Sequence, residues 1–360
     1  MKQLSLHTQH TTLGAKMGAF AGFDMPLTYK GVKAEHLCVR EHVGVFDVSH
    51  MGEFIVSGDQ AFDLLQYTTS NNVAALAVGE AQYSYIPNEN GGVVDDLLIY
   101  RLEEKKYMLV VNASNIEKDW QWLNNQNQAF DAALINVSEN YALLALQGPK
   151  AHDVMRLIAE IDTTTQKGFT VVQTTLAGSA GVLVATTGYT GAGGVELYIP
   201  VEHAIHVWEA ILVAGEAFNI QPIGLAARDT LRLEMGYCLY GHELTDSTSP
   251  IAARLAWCTH FDKAFVGDTP IKKDKANGTA QLRVGFTMID RGIPRQGYNL
   301  VDGNGKTIGE VTSGTSSPSL GVGIGMGYIN RDFAKINTDI FVRIREKNIK
   351  ARITRLPFML

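Results

Sequence analysis

Apolar and polar positions follow two rhythms along this chain, and the rhythm changes near residue 275. Before that point several segments carry apolar residues at helical spacing. Val32, Leu37, Val39 and Val43 stand among charged positions and predict a helix over 32–43. Further helices are predicted over 61–68, over 115–127 with Trp120 and Leu123 on one face, over 150–161, and over 201–218 around Val207, Trp208, Ile211 and Leu212. The segment 224–235 predicts another, entered from a glycine. Strand signals fall between them: 46–56, a three-strand meander over 81–111 with turns at 88–92 and 103–106, 141–146 closed by Gln147-Gly148-Pro149, and 171–187. Helices and strands mixed with hairpins predict an α+β fold rather than a doubly wound sheet.

After residue 275 the helical signals stop. Short apolar runs at 282–288, 298–301, 309–312, 323–328, 340–344 and 349–355 alternate with Gly, Asn, Asp and Ser. That spacing predicts a small all-β barrel or sandwich. The segment 264–276, with Lys272, Lys273 and Lys275, reads as a solvated connector, and no internal repeat is apparent.

Composition narrows the class. With 360 residues the length prior is two to three domains. At 46% hydrophobic and 19% charged the chain reads as an ordinary globular protein. A net charge of -6 argues against nucleic acid, which needs a basic footprint. Cys38, Cys238 and Cys258 are far apart and form no CxxC, so neither a disulfide framework nor a structural zinc site is expected, and a reducing compartment is. The first residues show no apolar leader core and no Arg-rich presequence, and no run is long enough to span a bilayer, so a cytoplasmic protein is expected.

Three segments carry candidate chemistry. In Gly91-Gly92-Val93-Val94-Asp95-Asp96-Leu97-Leu98-Ile99-Tyr100 two carboxylates stand where an apolar strand begins. Alternation points one of them inward, and a buried acid needs a partner or a ligand; the plainer reading is a turn aspartate. The glycine-rich turn Gly188–Gly194 precedes Glu196, an acid able to accept from two adjacent N–H donors, or else an exposed hairpin residue. It is no phosphate loop, since GxxxxGK[ST] is absent. In 224–236, Arg228 and Arg232 share a helix face, either as a surface ion-pair face or as arginines held for a carboxylate. Asp47, Ser49 and His50 are adjacent, which is no argument for a catalytic triad. His203 and His206 lack a third ligand nearby, and the glycines between 321 and 327 do not form a dinucleotide motif. Arg343, Arg345, Lys347, Lys350, Arg352 and Arg355 make a basic cluster on an acidic chain, serving solubility or the docking of an acidic partner.

Read together and in order, these segments resemble the glycine cleavage T-protein (aminomethyltransferase) family over essentially the whole chain. The resemblance rests on Leu13-Gly14-Ala15-Lys16-Met17, Phe20-Ala21-Gly22-Phe23-Asp24-Met25-Pro26-Leu27, Phe46-Asp47-Val48-Ser49-His50-Met51-Gly52-Glu53 and the Asp95-Asp96 segment. It continues through Val111-Asn112-Ala113-Ser114-Asn115, Leu146-Gln147-Gly148-Pro149, Thr187-Gly188-Tyr189-Thr190-Gly191, Ala227-Arg228-Asp229, Leu239-Tyr240-Gly241, Thr312-Ser313-Gly314 and Ser317-Pro318-Ser319-Leu320. It implies a three-domain cloverleaf around a central folate channel: 1–54 with 150–265, then 55–149, then a C-terminal antiparallel β-barrel over 276–360. It implies tetrahydrofolate as co-substrate, no metal, and the lipoylated H-protein as partner, with no nucleic acid and no membrane. The products would be ammonia, 5,10-methylenetetrahydrofolate and the dihydrolipoyl arm.

Residue roles follow from the same resemblance. Asp96 matches the aspartate near the reacting folate nitrogens, expected to orient folate and stabilise an iminium-like transition state. Glu196 matches the acid on the pterin amino and ring N–H edge, and Arg228 a folate-site arginine. Tyr83, Tyr100, Val111, Asn112 and Tyr189 match pocket positions, with Tyr240 and Trp257 nearby. The chain departs from the family at Ala192-Gly193, where Glu-Asp is usual, and at His242-Glu243, where Asn-Asp is usual. Two alternatives keep the folate: a demethylase of a methylated amine or sulfur compound, and a non-catalytic iron–sulfur maturation protein. The second is disfavoured because Thr187-Gly188-Tyr189 lacks the cysteine of that group's turn.

Overall fold

The structure, a computed structural model, describes residues 1–359. The chain folds as two compact units: one of residues 1–65, 73–83 and 97–229, the other of residues 66–72, 84–96 and 230 onward. No helix among the described residues is long and apolar enough to cross a membrane.

The first unit is built on a six-stranded sheet. Its order is Val171–Leu176, Ser179–Ala185, Gly194–Pro200, Tyr141–Gln147, Gly44–Asp47 and Gln221–Pro222. Helices Ala151–Ile158 and Ala204–Gly215 belong to the core that covers it, in which Leu144, Leu146, Val184, Leu197, Ile199, Val207 and Trp208 are buried. Leu144 and Leu146, like Leu197 and Ile199, are separated by two positions, so one strand face feeds this core. The opposite face is left for other work, and it carries Glu196 and Tyr198.

A five-stranded sheet has the order Ala81–Pro87, Val93–Glu103, Lys106–Val111, Gly52–Ser57 and Ala133–Asn136. Its first two strands each have one end in the second unit. The three strands predicted over 81–111 are present. The single strand predicted over 46–56 is two, Gly44–Asp47 and Gly52–Ser57. The break has a local cause: Asp47 Oδ1 accepts from Ser49 N (3.0 Å) and Ser49 Oγ (2.5 Å), an Asx turn that ends the ladder. A helix at His7–Thr12 and strands Lys16–Phe20 and Phe23–Thr28 complete this unit beyond what periodicity predicted.

The second unit contains a closed six-stranded barrel. Its cyclic order is Gln281–Met288, Gly323–Asn330, Thr307–Ser316, Asn299–Val301, Asp339–Ile344 and Lys347–Thr354. Alternate residues Val284, Phe286 and Met288, then Ile340 and Val342, then Ala351 and Ile353, fill the interior. The glycines between 323 and 327 are explained by close approach. A Cβ on Gly325 would meet the Phe286 ring at 2.5 Å, and one on Gly327 would meet Glu310 O at 2.3 Å. The expected connector at 264–276 instead contains a helix, Asp268–Asn277. Its Lys-rich face is solvated, but Ile271 is buried and Asp268 pairs with Lys272 at 2.7 Å one turn on. One apolar position per turn is too weak a periodic signal to read.

Candidate functional site

Seven of the ten candidate residues belong to the first unit: Tyr83, Tyr100, Val111, Asn112, Tyr189, Glu196 and Arg228. Three belong to the second: Asp96, Tyr240 and Trp257.

Glu196 is placed by its strand. Gly194, with φ +120, starts it, and a Cβ there would sit 2.2 Å from Leu146 O, so glycine is needed. Two residues on, Glu196 pairs with Ala145 on one side and Ala185 on the other. Directly opposed residues share a sheet face, so two methyl groups flank the carboxylate. Its Oε2 accepts from Thr187 Oγ1 at 2.5 Å. Thr187 Oγ1 in turn lies 2.9 Å from Tyr100 OH, and Tyr198 OH donates to Tyr100 OH at 3.0 Å. The hydroxyls thus form a chain from Tyr198 through Tyr100 and Thr187 that ends on the carboxylate, where each bond polarises the next. Burial pushes the Glu196 carboxyl up, while the Thr187 hydrogen bond and Arg228 oppose the rise. Burial likewise raises the Tyr100 and Tyr198 hydroxyls, so both stay donors.

The loop before Glu196 is pinned from behind by Gln147. Its Nε2 donates to Thr187 O (3.2 Å) and Val195 O (3.1 Å), and its Oε1 accepts from Thr190 Oγ1 (2.8 Å). Arg40 Nη1 holds Thr190 O at 2.6 Å. The loop with Ala192-Gly193 therefore has its own anchors, including Ala192 N to Thr190 Oγ1 at 3.2 Å. At its tip the Tyr189 ring carries the Arg228 guanidinium 4.6 Å from its centroid, a cation–π pair.

Two further buried ionisable groups of this unit are not among the site residues marked from the sequence, although both lie in the quoted segment 46–53 and His50 is weighed there as a triad member. His50 is buried, its Nδ1 has no hydrogen-bond partner, and Phe20 meets its ring edge-on at 5.4 Å. Burial, then the Arg228 charge, pulls it down to about 3 against a weaker pull from Asp47. Glu53 is 1% exposed. Burial and then the charge of Glu196 push its carboxyl well above the usual range. An acid and an imidazole inside an apolar run were the signal that could have marked them.

His50 does not join Asp47 and Ser49. The histidine on Asp47 is His10, with Nε2 2.8 Å from Oδ2, while Ser49 donates to the other carboxylate oxygen. The aspartate stands between serine and histidine, so no base activates the hydroxyl, and the trio is a buried structural knot. Val111 pairs with Leu97 and Gly52, whereas Tyr100 pairs with Met108. By alternation the Val111 side chain faces the other side of that sheet, so only its main chain is available on Tyr100's side. Asn112 is half-buried beyond the strand end, where its carbonyl accepts from Asn115 N at 2.9 Å. Tyr83 is half-buried on Ala81–Pro87.

In the second unit the Asp95-Asp96 segment is locked by its turn. Asn88 Oδ1 accepts from Gly92 N at 2.9 Å, Asn88 Nδ2 donates to Asp246 O at 2.7 Å, and Val93 N donates to Thr245 O at 3.2 Å. A Cβ on Gly92 would fall 1.8 Å from Asp246 O. Asp95 is fully buried and Asp96 half-buried, as expected of neighbours on a strand. Burial pushes the Cys238 thiol up to about 12, with Arg283 opposing the rise and Glu243 and Asp96 adding to it. Tyr240 is half-buried and Trp257 is 70% exposed. Glu243, at a departure from the family pattern, is buried and structural. It accepts from Arg232 Nη1 (2.9 Å), Leu239 N (3.0 Å) and Thr312 Oγ1 (2.5 Å). Arg232 is therefore not a surface residue but half of a buried ion pair. Among the described residues no group of three or more His, Cys, Asp or Glu side chains is arranged to hold a metal ion.

Comparison with known proteins adds an independent line. Residues 6–263 match the GCVT N-terminal domain, and residues 282–359 match the glycine cleavage T-protein C-terminal barrel domain. The aminomethyltransferase of Flavobacterium psychrophilum is 50% identical, with 99% of each chain covered. That of Bacteroides thetaiotaomicron is 52% identical over 99% of each. The crystal structure of glycine cleavage system aminomethyltransferase T from Bartonella henselae is similar with a TM-score of 0.93 at 37% identity, covering 99% of this chain and 98% of that one.

Proposed function

Because the chain belongs to the glycine cleavage T-protein family and is an aminomethyltransferase of that system, we propose the full course of its reaction. It takes the one-carbon unit from the aminomethyl-dihydrolipoyl arm of H-protein and delivers it to tetrahydrofolate. Ammonia leaves, and the products are 5,10-methylenetetrahydrofolate and dihydrolipoyl H-protein. The three-part division into 1–54 with 150–265, 55–149 and 276–360 belongs to the same reading.

The observation that carries the folate side is the hydroxyl chain ending on Glu196. A reduced pterin presents an amino group and a ring N–H side by side, and a carboxylate flanked only by alanines matches that pair of donors. The donor set fits the ligand. When bound, tetrahydrofolate supplies the two amine nitrogens that accept the carbon. Thr187, Tyr100 and Tyr198 hold Glu196 in one orientation before the ligand arrives. Arg228, stacked on Tyr189, opposes the rise that burial imposes on the Glu196 carboxyl. Tyr83, the Val111 main chain and Asn112 line the same ligand. The family resemblance also assigns Tyr240 and Trp257 of the second unit to folate.

Asp96 is assigned to the reacting end, where its carboxylate stabilises positive charge developing on the transferred carbon. Its half-buried position on the strand that leaves a locked turn supports that role, because a fixed charge needs no reorganisation during the reaction. The test is methylenetetrahydrofolate formation from aminomethylated H-protein and tetrahydrofolate, with the free dihydrolipoamide adduct as control. Carrier-dependent turnover is expected. Asp96→Ala should bind tetrahydrofolate normally and lose about a hundredfold in kcat. Folate binding without carrier-dependent turnover would favour the demethylase alternative instead.

A further inference from the structure

The unit that carries Glu196 holds a second buried acid which the reading above leaves without work. Glu53 comes from the strand Gly52–Ser57, directly opposite Val110, while Tyr100 lies opposite Met108. Positions 110 and 108 are two apart, so Glu53 and Tyr100 share one face of the five-stranded sheet. The Glu53 main chain is fixed by Ser138, whose Oγ accepts from Glu53 N at 2.9 Å. The side chain is 1% exposed, and its Oε1 has no hydrogen-bond partner. A buried oxygen left unmatched is costly unless something else completes it. Three residues earlier, His50 Nδ1 is a second unmatched polar atom.

Glu196, Tyr100 and Tyr198 all feel the charge of Glu53 or impose theirs on it. The two carboxyls divide their tasks by what touches them. Glu196 has a hydroxyl donor in Thr187 and the Arg228 cation, both of which favour the ionised form. Glu53 has neither, and it faces the Glu196 charge. A buried carboxyl that lacks donors and faces another acid is disfavoured in its charged form.

We propose that Glu53 is a positioning and specificity residue for tetrahydrofolate: its buried carboxyl, with an unmatched oxygen on the Tyr100 face of the sheet, donates an O–H to an acceptor oxygen or nitrogen flanking the pterin edge that Glu196 holds. The proposal rests on the folate reading of this pocket. A ring whose edge alternates N–H donors with a carbonyl acceptor needs one group that accepts and one that donates. Glu196 and protonated Glu53 supply both. A carboxylate in place of Glu53 would repel that acceptor, so the pocket favours an acceptor at that position over an N–H.

Tetrahydrofolate binding by calorimetry on the full chain tests this with wild type, Glu53→Ala, Glu53→Gln and, as reference, Glu196→Gln. Glu53→Gln keeps a neutral donor and should bind within about twofold of wild type, while Glu53→Ala should weaken binding about tenfold. Raising the pH adds a readout that a merely structural role would not move. Wild-type affinity should fall as Glu53 ionises, with Glu196 of the six-stranded sheet facing it and the Tyr100 and Tyr198 hydroxyls still protonated, whereas Glu53→Gln should stay flat. If Glu53→Ala does not fold, this comparison alone decides the matter. Wild-type affinity in Glu53→Ala, affinity in Glu53→Gln as poor as in Glu53→Ala, or the same pH dependence in wild type and Glu53→Gln would overturn the proposal while the folate reading stands. Absence of binding by wild type would remove both.

Discussion

At the scale of single residues, environment rather than identity sets the chemistry. His50 is buried beside the Arg228 charge and held down to about 3, against an ordinary 6.5. The sign follows from proton counts. Below 6.5 the unfolded chain takes up a proton that the folded chain refuses, so stability falls as pH drops through the window from 6.5 to about 3. Toward the lower part of that window the loss from this residue should approach ~1.4 kcal/mol per pH unit. His50→Gln should lack this component. Urea unfolding of both proteins at about pH 7 and about pH 4.5 checks it; equal acid sensitivity would show that His50 is protonated without cost. The sequence marked Glu196, Arg228 and Asp96 as candidates. It did not mark Thr187, Tyr198 or Gln147, because a threonine in a glycine-rich turn and a tyrosine in a strand look the same whether or not a carboxylate lies behind them.

At the scale of elements, the last turn of the helix Leu225–Glu234 shows how an apparently exposed face becomes internal. Arg232 is 1% exposed, bonded to Glu243 and to Ser313 Oγ at 2.8 Å. Two residues on, Glu234 accepts from Ser317 Oγ (2.5 Å), Ser319 Oγ (2.9 Å) and Ser319 N (3.1 Å), fastening the helix end to the segment after strand Thr307–Ser316. Charged residues at i and i+4 read as a solvated face because nothing local announces a barrel above them. Arg232→Met should cost about 3–5 kcal/mol, since it strands the Glu243 carboxylate in the interior. The double variant Arg232→Met/Glu243→Gln should recover a large part of that loss, because a neutral amide still accepts from Leu239 N. A cost for Arg232→Met within the ~0.5 kcal/mol of an ordinary surface change would refute the buried-pair account.

For the whole molecule the relevant quantity is the distribution of charge. Against a net -6, the barrel carries a basic cluster, but the structure engages part of it internally. Lys350 and Arg352 both pair with Asp339, at 2.8 and 2.7 Å, and Arg343 donates to Gly305 O at 2.6 Å. Arg345 and Lys347, at the turn between the last two strands, are exposed, as is Arg355. If this end docks the acidic carrier, turnover with H-protein should fall steeply with salt while tetrahydrofolate binding changes little. Arg345→Glu/Lys347→Glu should raise the KM for H-protein several-fold without altering folate affinity. Equal salt dependence of the two measurements would remove this surface from the docking reaction.

By itself the sequence determined the α+β character, the β-rich C-terminal part, most helices, and the residue types on which the chemistry depends. These are legible because periodicity, turn residues and motif order are local properties of a chain. Tertiary structure alone decided that the barrel closes by pairing Gln281–Met288 with Lys347–Thr354, that the histidine on Asp47 is His10, and that Tyr100, Thr187 and Tyr198 share one chain of hydroxyls with Glu196. It also decided that Glu53 is buried, feels the charge of another acid and is left with an unmatched oxygen. Each of these joins residues far apart in sequence and depends on how much water their meeting excludes. No local pattern records desolvation, and desolvation is what separates a buried proton-holding acid from an ordinary surface glutamate.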